Sequence, residues 1–82
     1  MDLPDYTRID DIDDLILGRY IRWVYTDNLS KVYAGGFLVS ITNTTLLLKN
    51  RRLFTVSFED AFVFQKMSLD ERIVKYAKKY AK

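Results

Sequence analysis

The sequence predicts a mainly β protein: a strongly bent, five-stranded small barrel over residues 19–66, with a short helix before it and an amphipathic helix after it. β-branched and aromatic residues dominate residues 19–66, and short turns interrupt them at the intervals typical of a small barrel. The adjacent Gly35 and Gly36 lie between strand residues, which indicates a sharp bend that lets one strand serve both halves of a barrel. A two-layer α+β sheet is the competing architecture.

A chain of 82 residues, 49% of them hydrophobic and 15% aromatic, has the size and composition of one folded domain, residues 1–82. The acidic N-terminus, interrupted by Pro4, argues against a secretory signal, and the longest uncharged run is too polar to span a bilayer. With no cysteine, an intracellular location is allowed.

The short N-terminal helix is predicted over residues 7–17. Thr7 and Asp10 have the spacing of a capping box, and Gly18 is placed to end the helix. Apolar residues recur behind the cap at helical spacing, at Ile9, Ile12, Leu15 and Ile16.

The strands are predicted from alternation. Ile21, Trp23 and Tyr25 share the inner face of the first strand. The next strand begins near Lys31, after a turn at 27–30. Further strands follow around 46–48, 54–58 and 61–65.

The C-terminal helix is predicted over residues 68–82. Ser68 and Glu71 form a capping box, and the lysines gather toward the C-terminus, where the helix dipole favours cations. One apolar stripe needs a docking site, either on the barrel or on a partner. It contains Leu69, Ile73, Tyr76, Ala77 and Tyr80.

The sequence holds no histidine and no cysteine, which removes the commonest general base, the thiol nucleophile and most transition-metal sites. We therefore predict no enzyme activity, no catalytic residue, no cofactor and no metal site. The exposed carboxylates Asp10, Asp11, Asp13 and Asp14 lack the glycine turn and the distal Glu of a calcium loop.

Protein contact is the favoured function, because one small barrel cannot bury every apolar residue on its strands. A protein partner or self-association is expected. Residues 1–14 carry six Asp against Arg8, and residues 66–82 carry six Lys or Arg against two acidic residues, so acidic and basic ends can pair between neighbours. The predicted contact residues are Tyr20, Val24, Tyr33, Leu38, Tyr76 and Tyr80, with Leu47 and Val63 on the same outer strand faces.

Single-stranded nucleic-acid binding is the alternative, because small barrels combine stacking aromatics with basic loops. The residues that would bind nucleic acid are Arg22, Trp23, Lys49, Arg51 and Arg52. No small-molecule substrate is evident from the sequence.

Five short motifs resemble small uncharacterised proteins of large double-stranded DNA viruses, and the layout resembles Sm-like and SH3-like barrels. The motifs lie at 17–23, 35–38, 46–50, 54–58 and 62–64. The viral resemblance implies no established activity for any residue. Together with the expected protein contacts, it leads us to expect a structural or assembly subunit of a viral particle or nucleoprotein complex, located in the virion or infected cell. The barrel resemblance implies architecture and no ligand.

Overall fold

In a computed structural model, which describes residues 3–80 except the side chains of residues 34, 79 and 80, six antiparallel strands form one sheet and are followed by one helix. The strand order across the sheet is β1-β6-β2-β3-β4-β5. Single turns of 3-10 helix lie at Ile12–Asp14 and Phe58–Asp60. The elements are β1 (Tyr6–Ile9), β2 (Tyr20–Tyr25), β3 (Asn28–Thr42), β4 (Thr45–Asn50), β5 (Arg52–Ser57), β6 (Ala61–Lys66) and α1 (Leu69–Tyr80).

The mainly β architecture and the C-terminal helix are confirmed, but the closed five-stranded barrel is wrong. Strands β1 and β5 lie at opposite ends of the strand order, and within residues 3–80 they do not pair with each other. The sheet is therefore open and has six strands.

The predicted helix at 7–17 is also wrong. Residues Tyr6–Ile9 form the edge strand β1, which pairs with β6 from Tyr6 opposite Lys66 to Ile9 opposite Val63. Only the 3-10 turn Ile12–Asp14 is helical there, and its cap is Asp11, whose Oδ1 accepts from the Asp13 N–H at 2.9 Å. Pairing with the edge of β6 gives the backbone groups of β1 hydrogen-bond partners. A short, Asp-rich helix at the same place would be only marginally stable.

Strand β3 serves two neighbours, and its register with β2 shifts between Ile21 and Trp23, beside the two glycines. Its first part pairs with β2 and the part beyond Phe37 pairs with β4. Gly35 has φ +93°, and a Cβ there would lie 1.8 Å from the carbonyl oxygen of Ile21. Only glycine permits this close approach between β3 and β2.

One face of the sheet carries the core. Its least exposed side chains include Ile21, Leu46 and Leu48, each with no exposed surface. Burying an aliphatic side chain of this size contributes roughly 1.5–3 kcal/mol, so these strands hold the fold together. The rest of the buried cluster is Ile9, Leu15, Trp23, Leu38, Val56, Ala61 and Val63.

A buried polar side chain attaches the segment after β1 to this core. Gln65, 4% exposed, accepts from the Ile16 N–H at 2.7 Å through Oε1 and donates to the Asp14 carbonyl at 3.4 Å through Nε2. Both ends of the amide are thus paired, which is what a buried amide requires.

The capping box of α1 is present as predicted. Glu71 Oε1 accepts from the Ser68 N–H at 2.7 Å, and the Ser68 Oγ accepts from the Glu71 N–H at 3.2 Å. The helix begins at Leu69, and the last two residues of the predicted span lie outside the described residues. No helix within residues 3–80 has the length and apolar character needed to cross a bilayer.

Candidate interaction surfaces

The predicted protein-contact residues differ in how far the structure exposes them. Val24 and Leu38 are 2% and 1% exposed, so their prediction as outer-surface contacts is wrong. Tyr20 and Tyr33 are half-buried, and Tyr76 is exposed. The side chain of Tyr80 lies outside the described residues.

A β-bulge explains the error at Leu38. The register between β3 and β4 shifts from Leu38 opposite Leu48 to Ser40 opposite Leu47, which leaves Val39 as an extra residue. Leu38 therefore joins the core, whereas Phe37 and Val39 are 55% and 44% exposed.

Val24 and Val63 were also expected on outer strand faces. Val63 is 1% exposed and belongs to the core cluster. Val24 is 2% exposed and borders a cleft of about 270 Å³ with Leu29 and Phe62. The sheet thus buries apolar residues on both of its faces.

The largest set of exposed apolar side chains is on α1. The α1 apolar face consists of Leu69, Ile73, Tyr76 and Ala77, of which Leu69 is 64% and Ile73 56% exposed. The barrel, one of the two expected docking sites for this face, is absent, because the sheet is open. A different side of the helix, through Val74, borders the cleft of about 550 Å³ between α1 and β1.

Polar contacts hold α1 against the sheet. Arg19 Nη1 donates to Glu71 Oε1 at 2.7 Å and to the Lys66 carbonyl at 3.1 Å. At the other side Asp5 accepts from the Tyr76 hydroxyl at 3.3 Å and lies 3.5 Å from Arg72. The helix position therefore depends on exposed charges more than on apolar burial.

The Glu71 carboxylate is the electrostatic centre of this attachment. The Ser68 N–H, and next the Arg19 guanidinium, hold the pKa of Glu71 below its usual 4.5. Both partners stabilise the charged form, so the helix start favours an ionised Glu71.

A second exposed apolar surface lies beside the start of α1. We call this surface the acidic patch, because its apolar residues Ile16 and Leu17, 43% and 61% exposed, lie next to four Asp side chains in the sequence. Ile16 and Glu71 line the same cleft, so the patch lies beside the start of α1. The Asp residues of the patch are Asp10, Asp11, Asp13 and Asp14; within residues 3–80 no cluster of metal-ligating side chains is found.

The predicted nucleic-acid residues are not brought together. Trp23 is 5% exposed and belongs to the core, so its prediction as a base-stacking residue is wrong. Arg22 lies in the middle of the sheet, where its Nε donates to the Tyr33 carbonyl at 3.3 Å. The exposed Arg51 and Arg52 lie apart from it, at the β4–β5 turn.

An exposed aromatic that sequence reasoning missed lies near those arginines. Phe37 is opposite Lys49, and Lys49 is opposite Leu53, so these residues cross β3, β4 and β5 in one row. The Tyr20 ring meets the Phe37 ring edge-on at 5.0 Å. Simple alternation places Phe37 on the strand face opposite Leu38, and no local signal reveals the bulge that follows Leu38.

Comparison of the chain with protein-family models, with curated proteins and with solved structures gives no match.

Proposed function

We propose that this protein is a non-catalytic interaction module that acts as a small assembly subunit, in line with the particle or nucleoprotein complex that the sequence resemblance suggests. The observation that carries the proposal is the α1 apolar face, where Leu69 and Ile73 expose more than half of their surface. A contiguous exposed apolar face on an amphipathic helix is a common form of protein docking site.

The proposed occupant of this face is a second copy of the chain. Exposed Lys75 and Lys78 lie on the other side of α1, where they line the cleft with Val74, and the apolar residues of the acidic patch are surrounded by aspartates. Placing the α1 apolar face of one copy over Ile16 and Leu17 of the other buries apolar surface on both, and the long lysine side chains on the flank of α1 can extend toward the aspartates.

The contact is reciprocal. Because Ile16 and Glu71 border one cleft, the acidic patch adjoins the start of α1 in the same molecule. Two copies related by a two-fold axis can then each place their α1 apolar face on the acidic patch of the other. Such an isologous contact closes as a dimer.

Solution mass measured by analytical ultracentrifugation over a concentration series tests the proposal. The expected result is a monomer that converts to a dimer as concentration rises. Ile73→Lys should abolish the dimer, because it places a charge in the apolar face. Leu53→Lys is the matched control, because Leu53 is 57% exposed against 56% for Ile73 but lies on β5.

A charge exchange tests which surfaces meet. Lys75→Asp with Lys78→Asp, or Asp13→Lys with Asp14→Lys, should each weaken the dimer, and the combination of all four should restore it. A wild-type chain that stays monomeric at high concentration would contradict self-association. A mass that keeps growing with concentration would indicate a head-to-tail contact instead of the two-fold contact.

Single-stranded nucleic-acid binding is the second candidate, favoured by exposed Phe37 beside Lys49 and by the neighbouring arginine turn. Aromatic rings and cations at close range suit stacked bases and phosphates. Binding of a labelled oligonucleotide that weakens with salt and is lost in both Phe37→Ala and Arg51→Ala/Arg52→Ala would support it.

A further inference from the structure

A cleft of about 650 Å³ lies at the end of the sheet where the β2–β3 turn meets the 3-10 turn Phe58–Asp60. The Asp60 carbonyl joins the two turns by accepting from the Thr26 N–H at 3.0 Å and from the Thr26 hydroxyl at 3.2 Å. The cleft is lined by Tyr25, Thr26, Asp27, Asn28, Tyr33 and Asp60.

Two tyrosine rings form the apolar walls of the cleft. Tyr25 and Tyr33 meet at 76° with their centroids 5.2 Å apart. Trp23 supports both, because it stacks on Tyr33 at 5.2 Å and 2° and meets Tyr25 at 77°. The buried Trp23 thus holds the two tyrosine rings of the cleft nearly perpendicular to each other, with one face of Tyr33 against the indole.

The polar walls of the cleft are acidic. Asp27 and Asp60 are exposed, and within residues 3–80 neither forms an ion pair. Among the described side chains, no lysine or arginine lines the cleft itself, and the Lys31 ammonium group lies over the Tyr33 ring. Two carboxylates beside two aromatic faces attract a cation, and they repel an anion.

The chain itself shows that Tyr33 accepts an ammonium group. The Lys31 Nζ lies 4.7 Å from the centroid of the Tyr33 ring. This contact is exposed and belongs to a flexible side chain, so an external cation with better contacts can compete with it.

We propose that this cleft binds a methylated ammonium group. Methylated ammonium is less strongly hydrated than a primary ammonium and presents methyl surface to aromatic rings, while the two carboxylates balance its charge. The group can belong to a small molecule such as choline or to a methylated lysine side chain in a peptide. This site lies on different elements from α1 and does not depend on the proposed self-association.

NMR titration of the full chain tests the proposal with four probes. Choline and N-acetyl-trimethyllysine amide should shift the ring resonances of Tyr25 and Tyr33, whereas 3,3-dimethylbutanol, the uncharged shape analogue of choline, should not. Equal binding by 3,3-dimethylbutanol would show an apolar pocket and overturn the proposal. N-acetyl-lysine amide should bind more weakly, and a stronger response to trimethyllysine than to choline would identify a peptide side chain as the source.

Substitutions separate the contributions of charge and ring. Asp27→Asn with Asp60→Asn should weaken choline binding roughly fivefold, a loss in the range of exposed charge pairs. Lys31→Gln should strengthen it roughly twofold to fivefold by removing the internal competitor. Asp70→Asn on α1 is the control and should have no effect, and unchanged binding in the Asp27/Asp60 variant would overturn the proposal.

Discussion

At the scale of single residues, Gly35 is the glycine where a side chain has least room. Its Cβ would lie 1.8 Å from the Ile21 carbonyl oxygen, whereas a Cβ at Gly18 meets nothing within 4 Å. Both glycines have φ near +90°, so comparing the same substitution at the two positions separates the cost of the steric contact from the cost of the backbone strain.

We expect Gly35→Ala to lower the free energy of unfolding by at least about 3 kcal/mol, because β2 and β3 must separate. Gly18→Ala should cost only about 1 to 2 kcal/mol, from the left-handed backbone alone. Urea denaturation of both variants measures the difference, and equal losses would show that the close approach at Ile21 is not limiting.

A second residue-scale prediction concerns the ionisation of Glu71. Its pKa is lowered in the folded protein, so the unfolded chain binds the proton more readily. The ionised side chain therefore stabilises the fold above its usual pKa of 4.5, and this contribution disappears as pH falls through the lowered folded value.

Glu71→Gln should accordingly be less stable than wild type near neutral pH, and the two should converge as the pH falls below 4.5 and through the lowered pKa of the folded protein. Thermal unfolding followed by circular dichroism across this range measures the convergence. Asp70→Asn, also in the first turn of α1, is the control: a similar convergence in it would assign the effect to the helix dipole.

At the scale of elements, the bulge in β3 decides which side chains enter the core. Leu38 is 1% exposed and its neighbour Val39 is 44% exposed. Leu38→Ala should reduce stability by about 2 to 5 kcal/mol, because it leaves a cavity among buried aliphatic residues.

Val39→Ala should change stability by only about 0.5 kcal/mol, as expected for an exposed site. Chemical denaturation of the two variants checks the order. The opposite order would mean that uninterrupted alternation through β3 is right and that the bulge is absent.

Elements were predictable from sequence where the signal is local. Ser68 and Glu71 satisfy each other across one turn, so their spacing alone determines the start of α1. Thr7 and Asp10 have a similar pattern, but β1 forms because β6 offers an edge more than 50 residues away, which no local pattern records. Whether Leu38 is buried depends likewise on the register of β3 against β4.

The site was predictable to a similar extent. Helical spacing indicated an apolar stripe on α1 that needs a partner, and its members Leu69 and Ile73 are exposed. Trp23 was assigned to two roles, and the register of β2 buries it. The cleft of about 650 Å³ beside the β2–β3 hairpin turn, the hairpin cleft, could not be predicted, because it brings together Asp27 and Asp60 from separate turns.

At the scale of the whole molecule, the chain has little net charge, +2, but an uneven distribution of charge. Asp5 contacts Arg72 and Tyr76, so part of the acidic end is already neutralised within one molecule. Asp10 of the acidic patch pairs with Arg8 at 3.1 Å, and Asp11, Asp13 and Asp14 remain exposed for a neighbour.

We therefore expect the proposed dimer to weaken as sodium chloride is raised from low to about 0.5 M, because screening shortens the reach of exposed charges. Sedimentation at constant protein concentration measures this change. Dimerisation that strengthens with salt would instead indicate a purely apolar contact without the acidic patch.

The stacking of Trp23 on Tyr33 makes the molecule its own optical reporter. Trp23 is the single tryptophan of the chain, and it lies against two tyrosines. Its fluorescence therefore comes from one defined place behind the hairpin cleft. Excitation energy absorbed by Tyr25 and Tyr33 can pass to the indole over these short separations, so loss of that transfer marks the opening of this end of the sheet without any attached dye.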